Sequence, residues 1–172
     1  MTDTFEEEDT MKAKLKVFVY GTTKDDLRDL NRISEGAVLV EQATVRGRLL
    51  ELPTEASVLD VPGVDILAVG TLDPLADADT QQRFIEPFQV PLSGEFGQWQ
   101  DIDGKLLTFE DAAACLEMLD RMKGFCPYFA DMHRRVLLPV VTADGKPTAA
   151  WCYVVGALLT SCVLTSDKTC CS

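Results

Sequence analysis

The chain has 172 residues, 47% hydrophobic and 26% charged, a composition that fits one globular domain with a core of its own and excludes a collagen-like or wholly disordered chain. Asp and Glu number 28 against 16 Lys and Arg, a net charge of −12, and that field repels phosphate backbones, so no nucleic-acid partner is expected. The first ten residues hold five of the acids and show neither the basic start nor the apolar run of a secretory signal, so a cytoplasmic location is expected.

Residues 1–11 read as a disordered acidic lead. Lys14–Tyr20 (KLKVFVY) alternates and then runs apolar, as a strand entering a core does, and Gly21-Thr22-Thr23 breaks it. Leu27, Leu30 and Ile33 stand at helical spacing over 25–33, with Asp25 and Asp26 in the first turn and Gly36 as the stop. Ala37–Leu52 reads as two strands around Arg46-Gly47-Arg48, and Val64–Leu72 as another. Asp73–Asp103, with its prolines and glycines, reads as a long irregular excursion with a short helix at 77–84 and a turn at Asp103-Gly104.

Thr108–Met122 is the clearest helix, with Thr108 and Asp111 as a capping box and Ala112, Cys115, Leu116 and Leu119 as its apolar stripe; Gly124 ends it. Arg134–Val141 and Thr148–Val155 form a hairpin around Ala143-Asp144-Gly145. No charged residue falls between Pro147 and Ser166, a length that allows a membrane span, but AAWCYVV reads as a buried strand and the polar residues around it oppose a span. This order is not a strict βαβ alternation. It predicts an α+β fold: a mixed, mostly antiparallel, barrel-like sheet flanked by two main helices.

The six cysteines (Cys115, Cys126, Cys152, Cys162, Cys170, Cys171) form no CxxC pair, and the first three read as small core residues. His133 is the single histidine, so no metal site and no metal cofactor are expected. The turn Gly21-Thr22-Thr23 has two readings. It is either an ordinary strand-to-helix turn or a nest of backbone N–H groups suited to a carboxylate or oxyanion.

VFVYGTT, with RGRLL (46–50), GTL and Asp73 (70–73), Leu119-Asp120 followed by Gly124-Phe125, the strand opening at His133-Arg134-Arg135, and Ala150-Trp151-Cys152-Tyr153, resembles in order the blocks of the γ-glutamylcyclotransferase-like family. The resemblance spans residues 15–155 and implies a mixed β-barrel flanked by helices. It also implies release of 5-oxoproline from a γ-glutamyl amine or amino acid, without metal or organic cofactor. Tyr20, Gly21, Thr22, Thr23 and Tyr153 are the implied substrate-binding residues. In the family a glutamate ending the late helix takes a proton from the substrate α-amine, which then attacks the γ-carbonyl.

That glutamate's position is Lys123 here. An ammonium cannot accept the proton and repels the substrate's own ammonium. A lysine at a helix C-terminus also needs no role beyond complementing the macrodipole. The nearest acids are Asp120 and Glu117, one and two turns back, and His133 is the other candidate base. Two functions therefore stand: a 5-oxoproline-forming enzyme with a replacement base, and a binding domain that keeps the pocket without the base. A pocket holding only Lys123 and hydroxyls would favour binding, of a doubly anionic ligand; an acid beside it able to replace the missing base would favour the enzyme.

The domain is expected over 12–157, followed by a Cys/Ser/Thr-rich tail at 158–172. Three readings of the tail are a loose C-terminus, membrane attachment through lipidation of Cys170 and Cys171, and the end of a lanthionine-type modified-peptide precursor.

Overall fold

The computed structural model describes residues 14–21, 24–52, 57–84, 97–125 and 133–156, except for the side chains of 24–26. The acidic lead, Thr22 and Thr23, Cys126 and the tail with Cys162, Cys170 and Cys171 lie outside the described residues.

The elements are β1 (Leu15–Val19), α1 (Lys24–Ser34), β2 (Leu39–Glu51), β3 (Ser57–Asp60), a 3-10 turn (Gly63–Asp65), β4 (Ala68–Val69), α2 (Pro74–Gln82), β5 (Gln100–Phe109), α3 (Ala112–Lys123), β6 (His133–Thr142) and β7 (Pro147–Val155). The sheet order is β3-β2-β5-β1-β7-β6-β4. A further pairing, Ala43 with Thr142 and Thr44 with Val141, joins β2 to β6 and closes β2-β5-β1-β7-β6 into a five-stranded barrel. Among the described strands β1 and β7 run parallel, and every other pair is antiparallel. The fold is thus α+β, with a mixed and mostly antiparallel barrel.

Period-two alternation sorts the strand residues into two cores. Phe18, Val45, Leu106, Leu138, Cys152 and Val154 fill the barrel interior. Val17, Val19, Leu107, Trp151 and Tyr153 face outward, where Leu30 and Ile33 of α1 and Leu116 and Leu119 of α3 cover them. β7 is buried on both faces, so it reads as an unbroken apolar run and not as an alternating one. Among the described residues no helix is long and apolar enough to cross a membrane.

Several sequence expectations are corrected. Ala37–Leu52 holds one strand, not two: residues 39–47 pair with β5, and 48–51 with β3. Gly47 permits the change of partner, because a Cβ there would stand 2.7 Å from the Asp60 carbonyl oxygen. Val64–Leu72 contributes only the two-residue β4; Val64, Val69 and Leu72 are exposed. The short helix expected at 77–84 in the excursion at 73–103 forms three residues earlier, as α2, capped by Asp73; the excursion also holds the first residues of β5. Asp103-Gly104 is not a turn but mid-strand, where a Gly104 Cβ would stand 2.4 Å from the Phe18 ring. Thr108 is likewise in β5, paired with Lys16 and Leu39, so α3 starts later, with Asp111 accepting from the Ala114 N–H at 3.1 Å. Leu27 is exposed, while Leu30 and Ile33 are buried as expected. The β6–β7 hairpin forms as expected, with Gly145 at φ 82°.

Candidate functional site

A cavity of about 180 Å³ opens where β1 leaves the barrel and α3 ends. It brings together Tyr20 after β1, Lys123 at the end of α3, His133 at the start of β6 and Tyr153 in β7. Phe18, Leu30 and Val58 supply apolar wall, and Asp29 of α1 borders the same space. Gly21, half-buried, follows Tyr20 directly; it is not among the cavity's lining residues. Thr22 and Thr23, the rest of the candidate nest, lie outside the described residues.

Local sequence explains why Lys123 arrives there. Gly124 stops α3 in the left-handed conformation at φ 62°. The Phe125 N–H then donates back to the Asp120 carbonyl at 2.9 Å, the backbone closure typical of a glycine-ended helix. This fixes the last helical residue at the barrel mouth. Lys123 is half-buried and has no ion-pair or hydrogen-bond partner among the described residues. His133 is also half-buried, and its pKa is lowered from 6.5, first by burial and then by the Lys123 charge. The imidazole is therefore neutral at pH 7, with one N–H to donate and one nitrogen to accept.

Both tyrosine hydroxyls are bound within the protein. Tyr20 donates to the Tyr153 carbonyl at 3.1 Å and accepts from the Leu59 N–H at 2.9 Å. Tyr153 donates to Asp120, and its own pKa is raised by burial and then by the Asp120 charge. Their rings line the cavity while their hydroxyls tie β1, β3, β7 and α3 together.

The Asp120 carboxylate is already committed. It accepts from Tyr153 and from Arg135, a fully buried arginine on the helix-facing side of β6. Arg135 also pairs with Asp77 of α2, donates to the Thr71 carbonyl at 2.8 Å, and stacks against Phe125 and Trp151. Burial opposes the charge on Arg135, but its hydrogen bonds and the Asp120 carboxylate outweigh that and raise its pKa. Asp77 is 2% exposed and accepts from both the N–H and the hydroxyl of Thr71 as well. The hub joins α2, α3, β6 and β7 directly behind the cavity. Glu117, the other candidate acid, is exposed and borders a separate surface groove with Met118 and Met122.

Sequence reasoning misses Asp29 and Asp77. Asp29 falls in a helix whose sequence signal is its apolar positions, and Asp77 opens the short helix expected at 77–84, where nothing in the sequence marks its pairing with Arg135. Arg135 carries a signal, a charge opening the apolar run VLLPVV. Of the cysteines, Cys115 and Cys152 are buried, and burial pushes both thiols up to about 12, which removes them as nucleophiles at neutral pH. Among the described residues no group of three or more His, Cys, Asp or Glu is placed to hold a metal ion.

No protein-family model matches the chain, and no curated protein matches it significantly. It aligns with the solution structure of a protein from Arabidopsis thaliana at 18% identity and a TM-score of 0.48, over 91% of this chain and 86% of that one. A likeness of that degree carries no argument about chemistry, and the fold stands on the strands and pairings described above.

Proposed function

We propose that this chain is a γ-glutamylcyclotransferase-like barrel that binds a small γ-glutamyl-type ligand through its carboxylate and does not close that ligand to 5-oxoproline. The observation that carries the reading is Lys123: a half-buried ammonium bordering a cavity, with no partner among the described residues. The half-buried arginines Arg46 and Arg48 each hold an aspartate, Asp65 and Asp60. A cation left over beside a cavity offers a carboxylate a charge-assisted hydrogen bond, and the neutral His133 lining the same cavity offers a further donor. The ordered sequence blocks support the γ-glutamyl class.

The missing step is proton removal. A general base for an α-amine is best served by a partly desolvated carboxylate. Lys123 stands in that position, Asp120 is held by Arg135 and Tyr153, and the basicity of His133 is reduced by burial and by Lys123. Calorimetric titration with γ-L-glutamylethylamide tests the binding claim. Saturable binding that is lost in Lys123→Met supports it; unchanged binding in that variant refutes the carboxylate contact. The second reading is an active cyclotransferase, favoured by the presence of Asp29 at the cavity.

A further inference from the structure

We propose that the cavity reads a zwitterion, with Asp29 taking the ligand's ammonium group and Lys123 its carboxylate. The inference rests on the pocket reading above and assigns Asp29 a recognition role. Asp29 and Lys123 come from different helices, α1 and α3, and border one cavity. They do not pair with each other, and neither has an ion-pair partner among the described residues. Asp29 also forms no pair with Arg28 or Arg32, its neighbours on α1. It shares a helix face with Ile33, four residues on, which is 2% exposed and also lines the cavity. Asp29 thus stands, exposed, at the edge of α1 that borders the cavity.

Opposite charges on one small cavity with an apolar wall define the ligand's chemistry. A dianion would meet Asp29 with its second carboxylate, and a simple amine would leave Lys123 unanswered. A molecule carrying both an ammonium and a carboxylate satisfies both groups. The volume of about 180 Å³ suits an amino-acid-sized body and lies below the range of about 300–1,000 Å³ typical of drug-sized ligands. Asp29 is exposed, so its part is to hold the ammonium and not to strip a proton from it under desolvation.

The test is calorimetric titration of the full chain with γ-L-glutamylethylamide, its N-acetyl derivative and L-norleucine, repeated on Asp29→Asn. Acetylation removes the ammonium and should weaken wild-type binding about two- to fivefold, the scale of one exposed ion pair. In Asp29→Asn the two γ-glutamyl compounds should bind alike. Equal binding of both by the wild type overturns the inference and leaves the carboxylate pocket standing, as does a preference that survives in Asp29→Asn. Binding of norleucine without γ-L-glutamylethylamide supports the zwitterion and overturns the γ-glutamyl class. Binding of none of the three overturns both.

Discussion

The hydroxyl of Tyr20 donates to the backbone carbonyl of Tyr153 at 3.1 Å, so the two tyrosines that line the cavity are fastened to each other across β1 and β7. The same oxygen accepts the N–H of Leu59, a residue with no exposed surface. Tyr20→Phe leaves that N–H without this acceptor and should cost about 1–3 kcal/mol. A urea midpoint lowered at unchanged slope is the expected result.

Asp77 answers the buried Arg135 from α2, with Asp120 answering it from α3. Asp77→Ala removes one of two counter-charges and two acceptor bonds to Thr71. Breaking a buried pair costs about 3–5 kcal/mol when the charge is left alone; with Asp120 still present the loss should fall to about 3 kcal/mol. Thermal or chemical denaturation measures it. Arg135→Lys should not substitute, since an ammonium cannot span Asp77, Asp120 and the Thr71 carbonyl as the planar guanidinium does.

His133 is the single histidine, so its ring resonances are unambiguous in a pH titration by NMR. Its folded pKa lies below 6.5 because burial and then Lys123 disfavour the imidazolium. As pH falls, the unfolded chain takes the proton first. The contribution to stability is therefore complete above about pH 6.5 and is lost as pH falls through the folded value. Lys123→Met should move the His133 titration upward; an unmoved midpoint would show that the two groups do not share a field.

Legibility of the fold follows local consistency. The β6–β7 hairpin is readable because two apolar runs flank Asp144-Gly145. The body of α3 is readable from Cys115, Leu116 and Leu119, all buried. β5 is hidden because Asp101, Asp103 and Gly104 look like a turn, whereas tertiary packing of Phe18 over Gly104 makes them strand. Thr108 and Asp111 both look like caps, and the sheet claims the first of them. The site is legible where motifs mark it: Tyr20, Lys123, His133 and Tyr153 do meet at one cavity. Asp29 is not, because a lone acid on an amphipathic helix looks like solvated surface until the facing helix is known.

Release of 5-oxoproline from γ-L-glutamylethylamide by the wild type, followed by mass spectrometry at a concentration where calorimetry shows binding, tests the central claim most directly. A pocket with Lys123 where a carboxylate base would stand should bind the compound and give no product above background, since a general base is worth about 10²–10⁴ in rate. Steady turnover by the wild type would contradict the account.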